Sequence, residues 1–589
     1  MSATFDKSAD ADGTQDKSLL RSPLALLAIS LVAVCVLLSL PLVLPIGPMY
    51  WDVFIYYDAA NRIFDGQVPI NDFFTPVGPL GYYLFAGWLA IFPNAQPALL
   101  AHWSLLVVTA PLMALVTWHV DKRSRGTAFA LLIPFLIFAL LPFNTRELYS
   151  YPGSDAFGIY NRQACQVLYI MVAALVFVRS FRLLATIIVA TMTALFFLKI
   201  TGFVAGGFIA AYALISGKVT WKHAILAAAA FLLVLGGIEL MNGLVSQYVI
   251  DITKLVQMNS DTLLPRFLQA TSLNFGIVAS ATALALVLLW SDARNLAKTF
   301  SSSWKASPLG ASSALLAHDA IWLLVVLFAG ILFETQNTGS QALIFLWPVL
   351  LSILLKTGKI ADRPVLVFSI MALVAAAALP PTMRLTERAA RTYAGSFKNV
   401  PLEARNLKSL GAVDMRRDVA VRTDHMLRFY PDHRTFYDDL VVAGELPTPL
   451  LFSDFDFQVA YLSTVDTAID SIRALETKAG VHFDTIMSLN FVNPFPWLMD
   501  RSAPRYVAIG ADPTRAVPAP GSLEEDAVSK TDLVLYPTCP PTTANALLYD
   551  MYSDALAKHR RIRLDACYDA FINPKFALPP GSTTAPSAQ

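Results

Sequence analysis

Acidic residues are concentrated just after the first long apolar segment of the 589-residue chain. Asp52, Asp58 and Asp65 fall within residues 50–66, and Asp72 follows shortly afterwards. Residues 53–65 have the spacing of an amphipathic helix, so that Asp52 lies at the foot of that helix. A carboxylate there could accept a proton from a bound hydroxyl group. It could equally cap the helix, with the other three aspartates on a solvated face.

Basic residues occur at the ends of apolar segments, where a charge is costly unless it reaches water or has a partner. Lys199 ends the segment 183–199, and Arg146 and Arg162 bracket the polar stretch between two other segments. Each could bind a phosphate; Lys199 could instead extend to the membrane surface, and Arg146 could pair with Glu147. Further residues that could orient a substrate, each with a structural alternative, are Asp58, Asp72, Asp155, Glu239, Glu334 and His102.

The composition is that of a polytopic membrane protein. Hydrophobic residues make up 56% of the chain, charged residues only 15%, and mean hydropathy is +0.54. The excess lies before about residue 380 and predicts about 11 transmembrane helices. The segments are 23–46, 98–119, 127–142, 160–178, 183–199, 202–216, 224–241, 274–290, 320–333, 342–355 and 364–380. The net charge of +1 argues against nucleic acid as a partner.

Basic residues in alternate loops predict the topology, because cytoplasmic loops carry excess Lys and Arg. The rule places the N-terminus inside, provided that residues 78–93 form a short helix in the outer interface and do not span. The expected organisation is a cytoplasmic tail (1–22), a transmembrane domain (23–381) with a first outer loop (47–97), and an outer domain (382–578). A disordered tail follows (579–589). The expected location is a bacterial inner membrane, with the outer domain in the periplasm.

The C-terminal region predicts an α/β domain. Short apolar runs indicate strands, which alternate with two predicted helices. The strands are 418–421, 449–453, 484–488, 505–509 and 532–536, and the helices are 456–477 and 542–560. Cys539 and Cys567 could form a disulfide if this region lies outside the cytoplasm. No cysteine or histidine cluster has the spacing of a metal site, so no cofactor is expected, and a divalent cation stays an open alternative.

The first outer loop resembles that of the GT-C glycosyltransferases, in the branch of protein O-mannosyltransferases and lipid A aminoarabinose transferases. The resemblance rests on Asp52, on Gly66 at the end of the following helix, and on Gly78-Pro79-Leu80 before a Tyr-Tyr pair. It implies a GT-C fold with Asp52 as the catalytic carboxylate. Two positions depart from the family pattern: Val53 replaces a frequent Glu, and Val77-Gly78 replaces a His or Lys before Pro-Leu.

The resemblance also implies a reaction. A sugar would move from a polyprenyl-phosphate donor to a hydroxyl group of a lipid, glycan or protein at the outer face of the bilayer. The required groups are one carboxylate base and a few cations for the leaving phosphate. The alternatives are a membrane transporter or flippase and a non-catalytic envelope-assembly protein, which predicts that Asp52 is dispensable.

Overall fold

The structure is a computed structural model that describes residues 22–146, 153–259, 263–306, 315–335, 341–445, 455–514 and 516–577. The two predicted tails lie outside these residues, except for Ser22 at the end of the first, and so does the predicted strand 449–453. Ser22 begins the first helix, where its side chain accepts a hydrogen bond from the Ala25 amide at 3.1 Å. A serine cap followed by Pro23 is a common helix start.

All eleven predicted apolar segments correspond to helical segments. Up to residue 259 the helices are α1 (Pro23–Ser39), α2 (Asp52–Phe64), α3 (Leu80–Ile91), α4 (Pro97–Trp103), α5 (Leu106–Asp121), α6 (Arg125–Leu140), α7 (Ile159–Phe177), α8 (Phe181–Leu198), α9 (Ile200–Ile215), α10 (Trp221–Asn242) and α11 (Leu244–Asn259). They continue with α12 (Leu263–Leu273), α13 (Phe275–Ala306), α14 (Asp319–Glu334), α15 (Trp347–Lys356) and α16 (Pro364–Ser396). The boundary predicted at 381–382 falls inside α16.

Only some of these helices can cross a membrane unaided. Within the described residues, four are long and apolar enough: α8, α10, the first 24 residues of α13, and α16. A fifth span results if α4 and α5, which meet at 42°, are counted as one. The fold is therefore mainly helical with several apolar helices, and the predicted number of about 11 spans remains a prediction.

The first loop folds as its periodicity predicts. Helix α2 begins one residue before the predicted 53–65, and α3 lies within the predicted 78–93. The predicted solvated face of α2 is wrong in part, because residues from Val53 to Arg62 are buried around the whole helix. The C-terminal region covers the side of α2 that the membrane helices leave free: Tyr57 bonds Ser409 at 2.9 Å and Asn61 donates to the Arg501 carbonyl at 2.9 Å.

The C-terminal region contains both helices and strands. Its helices are α17 (Arg417–Asp432), α18 (Arg434–Ala443), α19 (Phe455–Ala479), α20 (Phe495–Met499), α21 (Ser522–Lys530), α22 (Thr543–Met551) and α23 (Ser553–Leu556). The strands within the described residues are β1 (Leu44–Pro45), β2 (Asn399–Pro401), β3 (Val413–Arg416), β4 (Ile486–Ser488), β5 (Leu533–Pro537), β6 (Arg560–Arg563) and β7 (Tyr568–Ile572). One sheet has the order β1-β3-β2, the other β4-β5-β7-β6. Cys539 and Cys567 form a disulfide beside β5 and β7.

Two predicted strands are wrong for identifiable reasons. Residues 418–421 belong to α17, whose buried Val419, Thr423 and Tyr430 recur at helical spacing. Residues 505–509 form a loop, because Tyr506 has a left-handed φ of 66°. That loop bonds the first outer loop instead: the Tyr506 and Ile509 amides donate to the Asp72 and Phe74 carbonyls. The predicted helix 542–560 is divided into α22 and α23.

Candidate active site

Asp52 is the first residue of α2, and the alternative that it caps this helix is wrong. The residue in the cap position is Trp51, which makes no side-chain capping bond. The Asp52 carboxylate instead accepts a hydrogen bond from the Gly158 amide, with 3.3 Å between Oδ2 and N. Gly158 precedes α7 with a left-handed φ of 64°, a conformation that glycine adopts without strain. The contact ties the foot of α2 to the start of α7.

Arg162 lies one turn into α7, close enough to Asp52 for electrostatic attraction. Its side chain is completely buried, and Nη2 donates to the Asp155 carbonyl at 2.7 Å. Its Nε and Nη1 have no hydrogen-bond partner in the described part of the chain. A buried guanidinium with unused donors is costly unless an acceptor reaches it. An anion beside Asp52 could supply that acceptor.

Lys199 occupies the break between α8 and α9, where an extended conformation (φ −161°, ψ 120°) interrupts the helix. Its side chain is 6% exposed, so the alternative that it extends to the membrane surface is wrong in this structure. Nζ donates to Asn161 Oδ1 at 2.5 Å and lies 4.8 Å from the centre of the Tyr160 ring. Asn161 adjoins Arg162, so both cations are tied to the first turn of α7.

The Gly78-Pro79-Leu80 motif packs against the same break. The Gly78 amide donates to the Leu198 carbonyl at 3.2 Å. A Cβ added at Gly78 would lie 2.1 Å from the Phe197 carbonyl oxygen. No side chain fits there, so the basic residue that the family has near this position cannot be accommodated with this backbone. Lys199 follows directly on Phe197 and Leu198, the residues that Gly78 touches.

Gly78→Ala is expected to shift the α8–α9 break and to destabilise the protein by about 1–3 kcal/mol, as overpacking does. Binding of the polyprenyl phosphate that the sequence resemblance implies should weaken with it, because Lys199 moves. Gly87→Ala on α3 is the matched control, since a Cβ there meets nothing within 4 Å. Thermal unfolding and lipid binding of both variants measure the effect. Equal unfolding temperatures and equal lipid binding in the two variants would contradict the close approach at Gly78.

Tyrosine side chains line the same region, and the sequence reasoning did not select them. The rings of Tyr56 and Tyr82 are 5.4 Å apart. Burial raises the pKa of Tyr56, and the neighbouring Tyr160 and Asp52 raise it further, so its hydroxyl group stays neutral. Gly158 and Asn161 were also missed. A signal existed for Tyr56, which follows Asp52 by one helical turn on α2.

Asp155 belongs to a buried ion pair that holds the outer loops together. Its carboxylate lies 3.0 Å from Arg388 Nη1 and accepts a bond from the Asn144 amide at 2.7 Å. Arg388 on α16 also donates to the carbonyls of Asn144 and Arg146. Burial raises the pKa of Asp155, and the Arg388 and Arg162 guanidinium groups oppose the rise. These contacts favour a structural role over the predicted supporting one.

Asp58 and Asp72 also make structural contacts. Asp58 pairs with Arg62 at 2.8 Å, both side chains being buried. Burial raises the pKa of Asp58, and Arg62 opposes that rise. Asp72 accepts a bond from the Val68 amide at 2.8 Å and lies 3.8 Å from Arg505 Nη1. Asp72 therefore links the first outer loop to the C-terminal region, whereas the Asp58 pair lies within α2.

The predicted residues Glu239, Glu334 and His102 lie on three different helices. Glu239 accepts bonds from the Val245 and Ser246 amides at 2.9 Å, which makes it a cap for α11. Glu334 is buried at the end of α14, the helix whose Phe333 ring lies 5.8 Å from Lys199 Nζ. His102 is buried on α4, within electrostatic reach of Arg162.

Arg146 is exposed, whereas Arg162 and Lys199 are buried. Of the three predicted cations, Arg162 lies within electrostatic reach of Asp52, and Lys199 bonds Asn161 in the first turn of the same helix α7. Within the described ranges, no group of three or more His, Cys, Asp or Glu side chains could hold a metal ion.

No protein-family model and no curated protein sequence matches the chain. Similar solved structures include ArnT from Cupriavidus metallidurans in the apo state, with 11% identity over 93% of this chain and 97% of that one (TM-score 0.38). ArnT from the same organism bound to undecaprenyl phosphate shows 13% identity over 94% of this chain and 99% of that one (TM-score 0.37). A third similar structure is oligosaccharyltransferase AglB from Archaeoglobus fulgidus, in complex with an inhibitory peptide and a dolichol-phosphate. It shows 13% identity over 95% of this chain and 75% of that one (TM-score 0.30).

ArnT and AglB both belong to the GT-C superfamily, which the first outer loop resembles in sequence.

Proposed function

We propose that this protein is an integral-membrane glycosyltransferase. It moves a sugar from a polyprenyl-phosphate donor to a hydroxyl group of a lipid, glycan or protein acceptor at the outer face of the membrane. Asp52 is the general base, and Arg162 and Lys199 bind the donor phosphate. The apolar helices hold the polyprenyl chain and the site at the bilayer.

The observation that carries this proposal is the meeting of Asp52, Arg162 and Lys199 around the first turn of α7. Gly158 bonds Asp52, and Asn161 bonds Lys199. Gly158, Asn161 and Arg162 lie within five consecutive residues. A carboxylate and two buried cations, one on this segment and the other two groups bonded to it, are what transfer from a phosphate leaving group requires.

The reaction would proceed in one displacement. The acceptor hydroxyl oxygen attacks the anomeric carbon of the sugar while Asp52 takes the hydroxyl proton, and the bond from that carbon to the phosphate oxygen breaks. The bonding electrons stay with the lipid phosphate, whose added negative charge faces Arg162 and Lys199. Attack opposite to the leaving phosphate inverts the anomeric configuration.

The orientation is part of the proposal. The disulfide between Cys539 and Cys567 supports an extracytoplasmic C-terminal region, because disulfides persist in oxidising compartments. That region covers α2, which carries Asp52, so both would face the same compartment. The periplasmic side of a bacterial inner membrane meets this requirement.

Binding of undecaprenyl phosphate to the purified full-length protein in nanodiscs tests the donor site. Lys199→Met should weaken binding about tenfold, because a charge-assisted bond to the phosphate is lost while the side-chain volume is kept. Lys356→Met is the matched control, since Lys356 pairs with Asp319 at 2.6 Å on the predicted cytoplasmic side. Unchanged affinity in Lys199→Met, or equal loss in both variants, would remove Lys199 from the phosphate site.

A further inference from the structure

Two loops on the predicted cytoplasmic side meet and bring basic side chains together. The loop after α5 contains Lys122 and Arg123, and the loop before α8 contains Arg179. Arg123 Nη2 donates to the Phe177 carbonyl at 3.2 Å, and the Arg179 amide donates to His119 Nε2 at 3.2 Å. These two bonds hold the loops side by side, so that their cations share one surface.

The cations of this surface lie close enough to repel one another. Arg179 is within electrostatic reach of Arg123 and of Lys218, which precedes α10. Lys122 and Arg123 are in turn within reach of His119. Lys122, Arg123, Arg179 and Lys218 are all exposed, and we call these four residues the basic cluster. Like charges held together are unfavourable unless an anion approaches them.

The acidic side chains nearby are already paired. Asp121 lies 3.3 Å from Arg125, and Asp319 lies 2.6 Å from Lys356. In the part of the chain that the structure describes, the basic cluster makes no ion pair of its own. The cluster is therefore open to an anion from outside the protein.

Exposed aromatic side chains surround the basic cluster. Trp118 near the end of α5 is 45% exposed, and Trp221 at the start of α10 is 71% exposed. Lys122 Nζ lies 3.2 Å from the centre of the Trp118 ring. The Phe181 ring at the start of α8 stacks on His223 of α10, with 5.0 Å between the ring centres. Exposed tryptophans beside cations are typical of the level at which lipid headgroups lie.

The length of α8 supports the same level. Arg179 precedes this helix and Lys199 follows it, with 18 helical residues between Phe181 and Leu198. These residues span about 27 Å, close to the thickness of the hydrocarbon core of a bilayer. The basic cluster and the proposed phosphate site thus lie at opposite membrane surfaces.

We propose that the basic cluster binds the phosphate groups of anionic phospholipids in the adjoining leaflet. Basic pockets between membrane helices commonly bind such headgroups on the cytoplasmic side. Because the four cations come from three loops, a lipid with two phosphates can contact more than one loop. Such a lipid would hold α10, which has no buried residue, against its neighbours. The proposal does not depend on the transfer reaction.

Native mass spectrometry of the purified full-length protein in detergent tests the proposal, with cardiolipin and phosphatidylcholine as probes. Cardiolipin, which carries two phosphates, should bind more tightly than phosphatidylcholine by about tenfold or more. Lys122→Gln combined with Arg179→Gln should weaken cardiolipin binding about tenfold, because two cations are lost. The bond from the Arg179 amide to His119 does not involve the exchanged side chains, so the fold should persist.

Arg294→Gln combined with Lys298→Gln is the matched control. Both residues are exposed on α13, on the predicted cytoplasmic side, so that the same number of charges is removed away from the cluster. Cardiolipin affinity should stay within about twofold of the wild type.

Four outcomes would overturn the proposal. Equal affinity for cardiolipin and phosphatidylcholine would exclude recognition of the phosphates, and equal weakening in the two double variants would indicate a general attraction to the basic side. Inorganic pyrophosphate that binds as tightly as cardiolipin would indicate a soluble ligand. A lower unfolding temperature of the first double variant in phosphatidylcholine nanodiscs would assign its two side chains to the scaffold.

Discussion

Asp52→Asn is expected to lower the transfer rate by about 10²–10⁴-fold, the usual contribution of a positioned general base. An amide cannot take the proton of the acceptor hydroxyl group. Its oxygen can still accept the bond from the Gly158 amide, now 3.3 Å from Oδ2, so the fold should persist. Glycan and lipid profiles of cells that carry the variant, normalised to protein abundance, measure the loss.

Asp65→Asn is the matched control for Asp52. Asp65 follows the last residue of the same helix and is exposed, so the same change of charge should leave transfer unchanged. Wild-type product in Asp52→Asn would contradict the glycosyltransferase and would favour the non-catalytic envelope-assembly alternative, which needs no carboxylate at this position.

Arg162→Gln is expected to lower kcat/KM for the lipid-linked donor by about 10²–10³-fold, the range reported for removal of a group that stabilises developing negative charge. The guanidinium group is buried, and its Nε and Nη1 lack partners within the described chain. Arg162→Lys should restore part of the loss, because lysine supplies the charge without the planar fork. Donor titrations with membranes from both variants separate KM from kcat.

Arg388→Gln provides the structural contrast to Arg162→Gln. It leaves the Asp155 carboxylate buried without its ion-pair partner, which typically costs about 3–5 kcal/mol. The unfolding temperature should therefore fall much further in Arg388→Gln than in Arg162→Gln. Comparable unfolding temperatures would contradict the division of the two arginines into a phosphate-binding and a structural residue.

Local patterns were sufficient for much of the fold. Helix α2 and the eleven apolar segments were located from hydrophobic runs and helical spacing, because these depend on residues that are neighbours in the chain. Short runs in the C-terminal region were less reliable. Taken by themselves, residues 418–421 and 505–509 have the pattern of strands. The first segment is part of the longer helix α17, and the second is a loop in which Tyr506 has a left-handed φ.

The sequence by itself determined a mainly helical membrane-type chain, the helix that begins at Asp52, and the few charges that could do chemistry. Only the tertiary structure decided their partners. Asp52 meets Gly158 across 106 positions, and Asp155 bonds Arg388 across 233. The first contact holds Asp52 at the start of the helix that carries Arg162. The second makes Asp155 part of a structural ion pair. Such pairings follow from how distant helices pack, which no local pattern of residues encodes.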